Sequence, residues 1–400
     1  MHAQDHLARR SPALAFALIV SGTVLGLAGT NLVLPAVPSL PAILGGSLEQ
    51  AQLVLASFVA GSACGLLLFG ALGARFDQRV LLVASLLAYG LLSALAAMSG
   101  SLKILIGIAF VQGMTSAAAA VFSPGMIRAL FGDARAVSAF GFLGSIESLT
   151  PAFAPVVGVW LLNGLGWNAA YLVIAALALL LATATVLLRH HLPALVTPQG
   201  VGGYGHLLRD PTFLRYALSH AFTLGGLLVV VFGAPSVFVA TLGGTLTDFI
   251  IMQLTGIATF IVAANVTGRL SSRFGSEPMI WIGTVLSAFG ALDIFGYALA
   301  GGTNTLAVTA AFVPFNAGLG LRGPPGFHQA VVAARGDDAR GSALVVVAIL
   351  GTTSAGTAAV APFIMTGLLP LGLAATVLTA AALALLYALP PLRDATRHAN

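Results

Sequence analysis

The chain has 400 residues, of which 58% are hydrophobic and 7% charged, against roughly 25% charged residues in soluble globular proteins. With 17 basic and 12 acidic residues and a mean hydropathy of +1.01, it cannot clothe a water-soluble surface of this size; a soluble enzyme is excluded and the bilayer is the solvent. The isoelectric point near 9.9 does not signal nucleic acid, because the basic residues stand in short clusters between apolar runs instead of covering one face.

A helix crosses the hydrocarbon core with about 20 predominantly apolar residues. Charges, Pro/Gly clusters and polar pairs cut this chain into twelve such segments: 12–36, 49–71, 80–99, 103–128, 137–162 and 168–189, then 212–235, 247–269, 278–300, 305–331, 341–365 and 371–391. The run behind Arg9 and Arg10 is too long for a signal peptide and reads as the first span. Positively charged loops stay on the cytoplasmic side, and alternate connections hold Arg75, Arg79, Arg128, Arg135, Arg189, Arg209, Arg269, Arg273, Arg335 and Arg340, with Arg393 and Arg397 in the tail. The opposite loops hold Lys103. Both termini are therefore expected inside. The single cysteine, Cys64, excludes an intrachain disulfide and a cysteine metal cluster.

The longest polar interval, with His190, His191, Pro193, Pro198 and the stretch Gly200 to Gly205, predicts a cytoplasmic linker at 190–211 between six-helix bundles at 1–189 and 212–400. The sequence Gly70-Ala-Leu72-Gly-Ala74-Arg75-Phe76 recurs as Gly268-Arg-Leu270-Ser-Ser-Arg273-Phe274, an offset of 198 residues, about half the chain. An internal duplication with a site at the interface of two repeats is the usual design of secondary transporters. The absence of a GxxxxGK[ST] loop leaves an ATP-driven motor out of the sequence, and energy is expected from a gradient.

The loop Gly70 to Arg79, on twelve predicted spans, resembles the signature loop of the major facilitator superfamily, G-x-L-x-D-R-x-G-R-R/K. Ala74 stands where the family has Asp, Asp77 where it has its second Gly and Gln78 where it has an Arg. Gln112-Gly-Met-Thr-Ser-Ala-Ala118 is similar to the R-x-x-Q-G-x-G-A-A element of span 4, with Ala109 in place of the Arg commonly tied to proton coupling. Ala154-Pro155-Val-Val-Gly158, behind Pro151, resembles the A-P-x-x-G element of drug:proton antiporters, and Gly166-Trp167-Asn168 resembles the G-W-R element that follows it. With Leu207 to Phe213, Ala234-Pro235-Ser-Val-Phe238 and Asp248-Phe249, nearly the whole chain is similar to the bicyclomycin and chloramphenicol resistance branch (Bcr/CflA-like). The resemblance implies an all-α integral membrane protein, twelve transmembrane helices in two pseudo-symmetric six-helix bundles, the major facilitator fold.

Intramembrane charges are functional hypotheses by default. Glu147, inside span 5, is the preferred proton carrier, and Arg322, in Gly320-Leu-Arg322-Gly-Pro-Pro325, a partner whose pairing would break on protonation; snorkelling to the interface is the alternative for Arg322. Asp293 reads as an interfacial structural group. His220 is a third coupling candidate, since imidazole titrates near neutral pH. Asn31, Gln112, Tyr216, Gln253 and Asn316 are the polar cavity candidates. Gly70, Arg75, Asp77, Arg79, Gly268 and Arg273, with Pro151, Pro155 and Gly158, form the conformational loop and gate. Gly61-x-x-x-Gly65 reads as a packing face.

The reading is a proton-coupled secondary transporter of a bacterial inner membrane. It exports small amphipathic compounds by alternating access as a monomer, with protons, substrate and lipid as partners, and with no cofactor, metal or enzymatic activity. A dedicated transporter of an amino acid, sugar derivative or organic anion is the alternative, because Ala109 and Asn31 carry no charge where that branch often does.

Overall fold

The computed structural model describes residues 11–195 and 203–392. Arg9, Arg10, Pro198, Gly200, Arg393 and Arg397 lie outside the described residues. The described chain is helical, with these long elements: α1 Pro12–Val33, α2 Leu48–Gly73, α3 Gln78–Ala97, α4 Leu102–Asp133 and α5 Arg135–Leu165, and α6 Ala169–Leu187. Then follow α7 Pro211–Ala240, α8 Leu246–Phe274, α9 Ser276–Leu299, α10 Thr305–Ala333, α11 Asp338–Val360 and α12 Leu369–Ala388.

Among the described residues eleven helices are long and apolar enough to cross a membrane. The remaining long helix, α10, has 29 residues, but its Asn316, Arg322 and His328 and its three internal prolines dilute the apolar run on which the expected span 305–331 rested.

Helix starts follow capping chemistry. The Ser11 hydroxyl accepts from Leu14 N ahead of Pro12, Ser47 and Gln50 form a capping box, and Thr245 and Asp248 form another. Gly132, at φ +68, is the one non-helical residue between α4 and α5, a backbone conformation that glycine adopts without Cβ strain. Pro35 stands in the first turn after Val33, where α1 stops, and residues 34–39 form a 3-10 turn. The eleventh ends similarly, at Val360, with a 3-10 turn over Ala361–Thr366. Within the expected linker a short helix covers Gly203–Leu207, and Asp210 caps α7 through Thr212 N and Phe213 N at 2.8 and 3.2 Å.

The chain divides into two compact units. Unit 1 comprises 1–133, 146–201 and 336–343; unit 2 comprises 134–145, 202–335 and 344–400. In unit 1, α6 packs on α3 and α1. α2 lies so close to α4 that a Cβ on Gly61, Gly65 or Gly113 would stand 1.8, 2.2 or 1.9 Å from a backbone oxygen of the opposing helix. In unit 2, α10 packs on α9, α8 and α7, and α12 on α7 and α9, around a core that includes Phe238, Met252, Phe312 and Phe315.

Helices in lipid gain no hydrophobic free energy by associating, so close backbone approach carries the packing. Gly65→Leu is expected to force α2 off α4 and destabilise the protein by about 1–3 kcal/mol or more; a thermal unfolding transition in detergent unchanged from the parent's would contradict this.

Candidate functional site

In unit 1 the expected proton carrier sits on α5 with its carboxyl group beside Thr23 of α1, whose hydroxyl donates to Val20 O at 3.0 Å. Glu147 is half-buried, Thr23 is buried, and no ion pair involves Glu147 among the described residues. The motif glycine Gly158 brings α5 onto the same helix, since a Cβ there would stand 2.4 Å from Leu32 O. The A-P-x-x-G element thus seats α5 against α1, and Glu147 is on the resulting seam.

Gln112, 2% exposed, donates from Nε2 to Ser93 Oγ at 2.7 Å, and Ser93 donates in turn to Tyr89 O at 2.7 Å. Its amide nitrogen ties α4 to α3. It also lines a small pocket with Gly29, Thr30, Val33, Val54, Leu55, Phe58, Ala109 and Tyr171, and the alanine that replaces the motif arginine is in that wall. Asn31, half-buried, donates to Leu27 O on its own helix at 2.8 Å.

The signature loop closes on itself. Asp77 caps α3 by accepting from Arg79 N at 2.9 Å, and its carboxylate takes the Arg79 guanidinium at 2.7 Å. Burial pushes the Asp77 carboxyl up, but the hydrogen bonds and charge of Arg79 outweigh it, and the group titrates below its usual range. Gly70 is buried under the loop, and Arg75 is exposed.

In unit 2, Arg322 is 0% exposed; it does not snorkel. Its guanidinium donates to Ser219 O, to Thr223 Oγ1 at 2.8 Å and to Ser219 Oγ at 3.2 Å, all on α7, and Nε has no partner. No ion pair involves it among the described residues. His220, next along α7, is buried with its ring edge-on to Phe327 at 5.7 Å. Glu147 and Arg322 belong to different units.

Tyr216 lies one turn before Ser219, whose hydroxyl donates to its carbonyl at 3.3 Å, while its own hydroxyl donates to Glu277 at 2.8 Å and accepts from Leu392 N at 3.1 Å. Glu277 also takes Arg215, which caps the end of α12 through the Leu386 and Leu389 carbonyls. Asn316 donates to Phe312 O on its own helix at 2.9 Å and touches the backbone of α8 at Gly256. Gln253 is half-buried with Oε1 unpartnered. Asp293 is exposed on α9, and Arg273 is exposed with its guanidinium over the Phe274 ring. Pro151 is exposed and Pro155 half-buried on α5.

Sequence reasoning missed Thr23, Ser219, Thr223 and Glu277. Ser219 and Thr223, four residues apart on one helical face, were the available signal; Thr23 and Glu277 become partners only through the fold. Among the described residues no cluster of three or more His, Cys, Asp or Glu could hold a metal.

Residues 19–362 match the family described as Major Facilitator Superfamily. The chain is similar to the chloramphenicol resistance protein of Pseudomonas aeruginosa, 27% identical over 260 residues that cover 64% of this chain and 61% of that one. It is similar to the bicyclomycin resistance protein homolog of Haemophilus influenzae, 25% identical over 260 residues, 64% of this chain and 65% of that one. The chain thus spans less than two thirds of the length of these two relatives. In fold it is similar to the fucose:proton symporter FucP of E. coli, with a TM-score of 0.69 and 18% identity, covering 94% of this chain and 99% of that one.

Asp77→Ala is expected to remove the α3 cap and destabilise the protein by about 0.5–2 kcal/mol. Because the folded carboxyl titrates low, its contribution is complete above the ordinary carboxylate range and fades as pH falls through the folded value. Thermal unfolding of both proteins across pH 2 to 7 checks this: the difference must shrink toward the acid end.

Proposed function

The chain belongs to the Major Facilitator Superfamily, and from that premise we propose a proton-coupled exporter of small amphipathic compounds, working by alternating access in a bacterial inner membrane. Twelve spans in two bundles of six, 1–189 and 212–400 joined by a cytoplasmic linker, with both termini inside, complete the reading. In it α10 crosses as the tenth span, its Arg322 solvated by α7 hydroxyls instead of lipid. The arginine-rich alternate loops support the orientation. The resistance proteins of Pseudomonas aeruginosa and Haemophilus influenzae support the substrate class through their names.

One observation carries the coupling assignment. Glu147 is a half-buried carboxyl group on the seam of α5 and α1, and among the described residues it is in no ion pair. A salt-bridged carboxylate is held in one protonation state, whereas this one exchanges its proton with no ion pair to break. A ligand shifts a conformational equilibrium only by its differential affinity for the two states, so a proton at Glu147 and substrate in the cavity favour opposite facings and compete. His220 and Arg322 form a second polar centre that tunes this balance, and Asn31, Gln112, Tyr216, Gln253 and Asn316 supply polar contacts as facings alternate. The loops at Gly70 to Arg79 and Gly268 to Arg273, with the bends at Pro151 and Pro155, carry the change of facing.

A dedicated transporter of a metabolite, such as an amino acid, sugar derivative or organic anion, is the second reading. It is favoured by the uncharged Ala109 and Asn31 and by the buried cation Arg322.

Proteoliposomes carrying a pH-sensitive dye and offered antibiotics, dyes and metabolites test both. Glu147→Gln is expected to keep expression and substrate binding and to lose gradient-driven transport. Undiminished pH-dependent transport in that variant removes Glu147 from the role; flux with one metabolite alone selects the second reading.

A further inference from the structure

Two tyrosine hydroxyls in unit 1 depart from the rule that buried polar groups are paired. Tyr89 of α3 is 1% exposed and Tyr171 of α6 is 2% exposed, and neither hydroxyl has a partner among the described residues. α3 packs on α6, and the two phenols are close enough to interact electrostatically. They meet at one pocket. Tyr171 lines it together with Gly29, Phe58, Ala109 and Gln112, and the Tyr89 hydroxyl is set against the same wall. A Cβ on Gly29 would stand 2.1 Å from that hydroxyl and 3.3 Å from Phe58 Cζ, so glycine at position 29 is what lets Tyr89 reach this place.

Tyr216 supplies the contrast. It is as buried, at 1%, yet its hydroxyl bonds to Glu277 and to Leu392 N. Burial of a tyrosine in this chain does not by itself orphan its hydroxyl.

The walls decide what can satisfy the pair. No charged residue lines the pocket, so an ion would find no counter-charge there. Gln112 commits Nε2 to Ser93 Oγ, which leaves its Oε1 as an acceptor. Val33, Val54, Leu55 and Phe58 add apolar wall. The space open to a water molecule is about 10 Å³, which is room for one. A buried water typically bonds to about three protein groups, and two phenols with one amide oxygen make that number. Ala109 keeps the space open: an arginine there, as in the span 4 element that this stretch resembles, would fill it and bring donors of its own, whereas alanine brings neither.

We propose that this pocket binds a single water molecule that bridges the Tyr89 and Tyr171 hydroxyls and the Gln112 carboxamide, tying α3, α4 and α6 through an uncharged link. The site lies within unit 1 and is independent of the direction and the substrate of transport.

Brief X-ray irradiation of the full chain in proteoliposomes makes hydroxyl radicals wherever water sits, and a water held beside a side chain marks it even where bulk solvent does not reach. Mass spectrometry then gives an oxidation rate for each tyrosine. Tyr89 and Tyr171 should be oxidised several-fold faster than Tyr216, and Ala109→Leu, which fills the pocket, should bring both down to the Tyr216 rate. Thermal unfolding in detergent is a second readout that holds even if Ala109→Leu does not fold. In a dry pocket phenylalanine removes an orphaned hydroxyl and raises the unfolding temperature. With the water bound, Tyr89→Phe and Tyr171→Phe should each lower it, and the double variant should fall short of the sum of the singles because the shared bridge is lost once. Oxidation of Tyr89 and Tyr171 at the Tyr216 rate, oxidation unchanged by Ala109→Leu, an unfolding temperature that does not fall in either single variant, or additive singles each overturn the site.

Discussion

Helices dissolved in lipid have no hydrophobic reason to touch, and the folded chain answers that constraint with backbone approach at glycine. Where Gly61, Gly65 and Gly113 bring α2 and α4 together, Ser62 Oγ reaches across to donate to Gly113 O at 3.1 Å, a bond possible only at that separation. Unit 2 uses the same device between α9 and α10, where a Cβ on Gly283 would meet Gly318 O at 2.5 Å. Tight spacing leaves little room for uncommitted polar groups, so each polar side chain either bonds at once to its own or a neighbouring helix, as Gln112 does with Ser93, or stands out as an exception. The position of the exceptions is what makes the interior readable as a functional map.

The two interior charges, Glu147 and Arg322, differ in kind. Arg322 keeps a permanent charge and is solvated by hydroxyl and carbonyl oxygens of α7, fixed dipoles that substitute for water. Glu147 lies beside Thr23 and has a charge that a proton removes. A fixed cation bonded to one helix organises that helix pair whatever the pH, whereas a group that gains and loses charge alters the electrostatic cost of each packing around it. The transport reading assigns the variable role to Glu147 for this reason, and the organising role to Arg322.

Much of the fold was legible because its signals are local. Apolar runs of about twenty residues mark the helices, although the first stops at Val33 and not at the expected 36, and Asp77, which looked like a loss from the signature loop, is an N-cap that its own position ahead of Gln78 and Arg79 encodes. The tenth span was harder: composition places Arg322, His328 and three prolines in it, and the apolar signal falls away although the helix is continuous. The site was legible only in part. Glu147 and Arg322 stand out as charges in apolar runs, but their partners do not, since Thr23 lies 124 positions before Glu147 and Ser219 lies 103 before Arg322. Tyr216 looks like a cavity residue on its helix, and only the fold brings Glu277 to its hydroxyl.

The loop at Gly70 recurs at Gly268 in the sequence, and the starts of α5 and α11 offer a second comparison between the two parts of the chain. Corresponding segments, the starts of α5 and α11, dock in corresponding ways, yet one dock is glycine and aromatic packing and the other is an arginine shared between two carboxylates. Packing without charge is indifferent to local potential and falls off steeply with separation. An ion pair has longer reach, competes with water as soon as water enters, and responds to every charge nearby. A duplicated protein with two packed docks would respond to both in the same manner. The dock made by a charge pair is therefore sensitive to hydration in a way that the dock made by glycine and aromatic packing is not.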